Sequence, residues 1–423
     1  MRQLLCCLML WPAALWAQPD TVGVRQRLEK LLLENALPFW YPGTLDREQG
    51  GYALNHDTEG NWRGPGAKAL VTQARTVWFF SRLYNSPYGK PEHLDAARHG
   101  FAFLRDHLWD AEYGGFYWEV DAAGNEATRP NKHLYAQGFG LYALAEYIRA
   151  SQDPEARQLA GELFNLLETR AHDGEYGGYR EFFGREWGPA GSRSYLGGPP
   201  DQKLMNTHLH LMEPFTTYYQ VQPDSLIRER LLELINIQSN AVVRKNLGLC
   251  TDRHARDWTP LRGPWFDRVS YGHDIENVWL LIEAVGAAGL AQGPFTDLYH
   301  TLFATSLQYG YDTEQGGFYD SGPFGGPADR RAKVWWVQAE GLVAALYLYQ
   351  LGGEERYWQV FAQTLDWIEK HQVDWQHGDW HATISEDGQP EGDKAGPWKG
   401  PYHNGRALLE CLRLLEDLKG GGQ

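Results

Sequence analysis

Cysteine is scarce in this chain. There are 4 in 423 residues, and two of them, Cys6 and Cys7, fall at the extreme N-terminus. Only Cys250 and Cys411 remain beyond it, so a disulfide framework is not expected to hold the fold together. Basic residues are outnumbered: 39 Lys and Arg stand against 54 Asp and Glu, a net charge of -15. Phosphate backbones are bound by clustered Lys and Arg, so nucleic acid is not an expected partner. Several chemical signatures are missing as well. No Gly-x-Gly-x-x-Gly follows a strand and no phosphate-binding loop is present, so no nucleotide cofactor is indicated. No Gly-x-Ser-x-Gly elbow supports a serine hydrolase, and no His-Glu-x-x-His supports a helical zinc site.

The longest apolar stretch is N-terminal. Met1-Arg2 precedes an apolar run from Leu4 to Leu15, and Ala14-Leu15-Trp16-Ala17 ends in a small residue. This pattern predicts a secretion signal over 1–17, cut after Ala17, and the run is too short to span a bilayer. With few cysteines in the remainder, the expected location is the periplasm. Residues 18–423 are expected to form one catalytic domain, free of the membrane and monomeric.

Aromatic residues are abundant, with 18 Trp, 23 Tyr and 17 Phe. Part of these must build a large core, but the surplus suits carbohydrate, whose pyranose faces stack on indole and phenol rings. A Gly-Gly-aromatic element recurs at Gly51-Tyr52, Gly115-Phe116, Gly178-Tyr179 and Gly317-Phe318, with weaker echoes at Gly248-Leu249-Cys250 and Gly378-Asp379-Trp380. These make six units of roughly 60–70 residues, a period that takes precedence over a domain count from length. Between the turns the apolar spacing is helical, about two helices per unit, from Thr21–Leu37 (ended by Pro38) to Asn404–Lys419. The predicted fold class is all-α: an (α/α)6 barrel of six helix pairs joined by Gly-aromatic turns.

Chemistry-bearing residues collect at the starts of the candidate inner helices. Arg75 lies in Thr72–Trp78, Asn206 and His210 in Met205–Glu213, His273 and Glu276 in Tyr271–Trp279, and Trp335, Trp336 and Glu340 in Lys333–Glu340. A Gly/Pro-rich loop carries Trp398 into His403. Residues three or four apart share a helix face. Asn206, His210 and Glu213 therefore align, as do His273 and Glu276, and Glu276 is expected to orient the His273 imidazole. His208 falls on the opposite side from His210, so the two cannot share a metal ion, and His208 reads as a core histidine. No metal is expected. What remains attractive is cofactor-free proton transfer: two imidazoles and an arginine suit removal of the weakly acidic C2 proton of an open-chain aldose. Return to the opposite face of C2 gives the epimer, and delivery to C1 gives a ketose.

Asn206-Thr-His-Leu-His210, Gly272-His-Asp-Ile-Glu276, Trp335-Trp-Val-Gln-Ala-Glu340 and Trp398-Lys-Gly-Pro-Tyr-His-Asn-Gly-Arg406 closely resemble the cellobiose 2-epimerases, within the N-acylglucosamine 2-epimerase superfamily. Lys132–Gln137 and the glycine turns match as well, so the resemblance runs through the chain in order. It implies an (α/α)6 barrel and reversible C2 epimerisation of the reducing-end sugar of β-1,4-linked disaccharides, through a cis-enediolate and without a cofactor. By motif position His403 resembles the base, His273 its partner on the other face, and Arg75 and His210 the groups around O1 and O2. Glu276 resembles an orienter of His273. Asn206, Tyr135 and Glu340 resemble sugar contacts. Trp398 and Trp336 resemble stacking platforms, with Trp335 a rival to Trp336. Val337 and Pro214 depart from the family pattern away from the proton path. The alternatives are a monosaccharide N-acylglucosamine 2-epimerase, a mannose-type aldose–ketose isomerase, and a glycoside hydrolase on the same barrel. Hydrolysis is disfavoured because the cup residues are mostly histidines rather than two free carboxyls.

Overall fold

The structure, a computed structural model, describes residues 20–191 and 193–420. The expected signal, 1–17, lies outside the described residues. Twelve long helices alternate along the chain: α1 Thr21–Lys30 (continued by Leu31–Ala36 and Leu37–Trp40), α2 Leu70–Tyr84, α3 Pro91–Phe103, α4 Leu134–Ser151, α5 Pro154–Leu166, α6 Met205–Val221, α7 Ser225–Asn236, α8 Tyr271–Ala287, α9 Thr296–Gly310, α10 Trp335–Gly352, α11 Glu355–Trp367 and α12 Tyr402–Gly420. The even-numbered helices pack side by side in chain order, and α12 returns to α2, closing a six-membered ring. The odd-numbered helices cover it. This is the (α/α)6 barrel expected from the repeat.

Burial follows this division. Every residue of α4 from Leu134 to Ile148 is buried, the pattern of a helix enclosed on all sides. The outer helices are amphipathic and well capped. Asp224 accepts from Leu226 N at 2.8 Å and Asp153 from Glu155 N at 2.9 Å, with Pro154 opening the helix. Pro38 does not end α1 as expected. The preceding π turn, in which Leu37 N–H reaches Leu32 O, widens the helix, and the chain stays helical to Trp40.

The glycine turns are tied to the inner helices by a repeated device. In α4, Gln137 accepts from Phe116 N and donates to Phe116 O, both at 2.8 Å. Gln73 does the same for Tyr52 and Gln338 for Phe318. In α6 the equivalent position is His208, whose Nε2 accepts from Tyr179 N at 2.9 Å. His208 is therefore structural, as its helix face indicates. In α8 the position is Asp274, facing Cys250 N. Gly115, at φ +70°, could not carry a Cβ here, because Trp187 would lie 2.6 Å from it. Replacing Gln137 with alanine orphans both buried backbone groups of Phe116. The expected cost is roughly 1–3 kcal/mol for each group, read by urea denaturation.

A buried lysine fastens most of the turns. Lys68, Lys132, Lys203 and Lys333, each two residues before an inner helix, bond an aspartate and a turn carbonyl; Lys132 reaches Asp110 at 3.0 Å and Gly115 O at 3.3 Å. In the sixth unit Lys394 does this job from farther upstream, because the Trp398 loop intervenes before α12. The fourth unit has Val269 at the lysine position. There a cavity of about 260 Å³ opens, lined by Val269, Asp252, Arg253, Ser270, His273 and Asp320 among others.

Candidate active site

The inner helices meet in register at their first two turns. Counting six residues into α2, α4, α6, α8 and α10 gives Arg75, Phe139, His210, Glu276 and Glu340. Arg406 completes the ring from α12, which starts one residue later. These six side chains form a continuous belt. The Arg75 guanidinium lies 4.1 Å from the Phe139 ring centre, and Phe139 meets His210 at 5.0 Å between centroids. His210 Nε2 stands 3.7 Å from Glu276 Oε2. Arg406 then binds Glu276 Oε1 at 2.7 Å and Glu340 Oε1 at 2.8 Å. It also donates to Glu213 Oε1 and the Tyr402 hydroxyl.

Above this belt sit the two expected acid–base histidines. His403, in the first turn of α12, bonds Glu340 Oε1 through Nδ1 at 2.6 Å. Glu340 also accepts from Arg406 and from Trp279 Nε1 at 2.9 Å. His403 therefore presents Nδ1–H to a carboxylate, leaving a lone pair on Nε2. His273 bonds Ser270 Oγ through Nδ1 at 2.8 Å. Both rings pack on Trp336, at centroid distances of 4.7 Å for His273 and 5.7 Å for His403. Trp335 is almost buried and touches His403 edge-on at 6.2 Å, so Trp336 is the indole shared by both imidazoles.

Two expectations about carboxylates are corrected. Glu276 does not hold His273: its Oε1 is taken by Arg406, and His273 turns to Ser270 instead. The α8 helix begins at Tyr271, which places His273 in its first turn with Ser270, the residue just before the helix, beside it. Glu340 is not a sugar contact. It is wholly buried, and both its oxygens are engaged by His403, Arg406 and Trp279.

The remaining expected residues line the cup. Arg75 donates to the Tyr135 hydroxyl at 3.1 Å, and its Nε has no hydrogen-bond partner among the described residues. Asn206 is half-buried at the start of α6, and its Oδ1 has none either. His210 is fixed through Nδ1 by Glu213 Oε2 at 3.0 Å. Trp398 is 48% exposed and meets Trp118 at 6.1 Å and Tyr135 at 6.3 Å. Buried polar atoms without partners are rare in proteins, and here they sit where a polyhydroxylated ligand can satisfy them.

Electrostatics keep the imidazoles neutral. Burial drives His403 well below the ordinary imidazole value, and Arg75 and Arg406 push in the same direction. Burial lowers His273 as well, and His210 to about 4 despite the pull of Glu213. Burial and the neighbouring Glu340 raise Glu276, outweighing Arg406. Glu213 goes the other way: burial would raise it, but Arg406, His210 and Tyr402 hold it at about 2.

The sequence alone assigns no role to Arg406, Glu213 or Tyr402, and nothing in it points to Ser270. The common register of the six inner helices was the available signal for Arg406. It emerges only once each helix start is known.

A profile of the family described as N-acylglucosamine 2-epimerase (GlcNAc 2-epimerase) matches residues 50–407. The chain belongs to this family. It is therefore a carbohydrate epimerase, a kind of isomerase. Among relatives, the cellobiose 2-epimerase of Bacteroides fragilis is 34% identical over 394 residues, spanning 92% of this chain and 98% of the relative. The solved structure of cellobiose 2-epimerase from Spirochaeta thermophila superposes with a TM-score of 0.86 at 34% identity, covering 96% of this chain and all of that one. The enzyme of the same name from Bacillus thermoamylovorans also gives 0.86, at 30% identity over 93% of this chain and 99% of its own. The family membership and the barrel agree with the resemblance carried by the sequence motifs.

Proposed function

We propose that this chain epimerises the reducing-end sugar of a β-1,4-linked disaccharide at C2, without a cofactor. The observation that carries the reading is the pair His403 and His273. Both are held neutral, both pack on Trp336, and both have Nδ1 engaged, which leaves Nε2 for the substrate. In this scheme His403 Nε2 takes the C2 proton of the open-chain aldose. The C2–H electron pair forms the C1–C2 double bond, and the carbonyl pair moves onto O1. Arg75 is the donor proposed to meet that oxyanion, in a buried setting where such contacts are strongest, while His210, which gives its Nδ1–H to Glu213, offers Nε2 as an acceptor for a neighbouring sugar hydroxyl. His273 returns a proton to the other face of C2. The hydroxyl of Ser270 can donate to or accept from His273 Nδ1, so His273 can act as acid in one direction and as base in the other.

The disaccharide class is supported by the relatives named cellobiose 2-epimerase and by Trp398, an exposed indole beside Trp118 and Tyr135 that offers a face for a second ring. Cellobiose and mannobiose are the substrates to try first. In D2O, either is expected to give its C2 epimer with deuterium at C2, followed by NMR. Released monosaccharide, or deuterium at C1 of a ketose, would overturn the proposal. From the apolar segment near the N-terminus we also place the reaction outside the cytoplasm. Recovery of the native protein only from the cytosolic fraction would refute that placement.

The neutral histidines give a pH prediction. The base works unprotonated, and its pKa lies below 6.5, so kcat/KM is expected to stay level from pH 8 to 6.5 and to fall only at lower pH. An acid limb centred above pH 7 would contradict this. Stability has the same sign. A histidine lowered in the folded state binds its proton preferentially when unfolded, so the melting temperature is expected to drop as pH falls from 6.5 towards 4.

A further inference from the structure

We propose that His210, His273 and Glu276 form a binding site for a divalent transition metal ion, and that an ion bound there shuts out the sugar. One ligand atom from each of these residues lies within 4.8 Å of the other two. The separation of His210 Nε2 from Glu276 Oε2, 3.7 Å, is already close to the ~3.3–3.5 Å between ligands of a tetrahedral zinc ion with bonds of ~2.0–2.1 Å. Glu276 is fully buried, and its Oε2 points into this space with no hydrogen-bond partner among the described residues. Two imidazoles and one carboxylate make a donor set suited to Zn2+, Co2+ or Ni2+ rather than to Mg2+ or Ca2+.

The surroundings support such a site. A histidine that binds metal through one ring nitrogen commonly donates the other N–H to an oxygen, which fixes its tautomer. His210 Nδ1 meets the Glu213 carboxylate at 3.0 Å, and His273 Nδ1 meets Ser270 Oγ at 2.8 Å. Glu276 is fixed by Arg406 through its other oxygen. The ionisable groups around this space are Arg75 and Arg406 together with the carboxyls of Glu213, Glu276 and Glu340. A second grouping, Glu276, Glu340 and His403, also clusters within 4.8 Å. It carries no site, because the Arg406 guanidinium already bridges the two carboxylates.

The role is inhibitory because the ligands are cup residues. An ion on His210 and His273 takes the nitrogens needed at the sugar oxygens and at C2, so metal and disaccharide are expected to compete. This competition rests on the proposed function, whereas metal binding by itself does not.

The test uses the full chain after chelator treatment. Zn2+ is titrated against a chromophoric chelator, and Co2+ by its visible ligand-field bands. One saturable site per chain is expected. Glu276→Gln and His273→Ala, each checked for folding by circular dichroism, are expected to weaken it at least ~30-fold. His377→Ala and His381→Ala, which alter an alternative cluster around Asp374, are expected to leave it unchanged. No saturable binding at ~100 µM metal would overturn the site. So would affinity unaffected by the first two variants, or lost in His377→Ala. Should Glu276→Gln fail to fold, His273→Ala at the cavity rim decides alone. Metal that binds as expected but is not displaced by excess disaccharide would overturn the exclusion and leave the site standing. Absence of C2 exchange in metal-free protein would count against the proposed function instead.

Discussion

His403→Ala is expected to lower the rate of C2 proton exchange by ~10²–10⁴-fold, the span over which a positioned general base contributes. The fall belongs in kcat, because the imidazole acts on the reacting carbon while Arg75, Asn206 and the indoles retain the sugar. The stability cost is expected to be that of one buried hydrogen bond, about 1–3 kcal/mol, since loss of the ring leaves Glu340 still paired with Arg406 and Trp279. His273→Ala is expected to act similarly on exchange into the epimer. The measurement is deuterium incorporation at C2 under saturating disaccharide. Near-normal exchange in either variant would remove that histidine from the proton path. A variant with normal kcat and raised KM would mark a residue that only binds.

Arg406→Gln is expected to be the most damaging single change to the barrel interior. The guanidinium bonds Glu213, Glu276 and Glu340 at once, and all three are buried. Removing one partner of a buried ion pair costs about 3–5 kcal/mol, because the partner's charge stays buried without compensation. Here three carboxylates lose their shared cation. The loss has a definite pH dependence. A carboxyl whose folded pKa is raised binds its proton preferentially in the folded state, so its stability contribution declines as pH rises. The penalty in Arg406→Gln is therefore expected to be largest near pH 8 and to shrink towards pH 5. Denaturant melts of both proteins across that range give the comparison. A penalty below 1 kcal/mol, or one that grows on acidification, would show that Arg406 does not hold these charges.

Much of this architecture was legible because it repeats. A Gly-Gly-aromatic turn needs positive φ and a small residue against the inner helix, and Gly115 beside Trp187 shows why no other residue serves. Once six such turns are counted, six helix pairs and a closed ring follow. The two weakest echoes were true units. Cys250 and Trp380 occupy the same bridge position as Tyr52 and Phe116. His208 was also readable, because helix geometry alone turns it away from His210.

The carboxylates were not readable in the same way. Local spacing states which side chains share a face, and it served for His210 and Glu213, three residues apart and bonded at 3.0 Å. The same rule misled for His273 and Glu276. Their hydrogen bonds were decided by Arg406, more than a hundred residues away in sequence, and by Ser270, which lies outside the helix. Glu340 was drawn from a sugar contact into the support of His403 for the same reason.

The sequence by itself determined the helical repeat and the family motifs. These depend on local backbone preference and on periodicity, which are written along the chain. Only the tertiary structure decided which carboxylate serves which histidine, that His210, His273 and Glu276 converge, and that Arg406 joins the belt. Burial makes each charge seek a partner across the ring, and the partner it finds depends on distances between helices that no spacing along one helix contains.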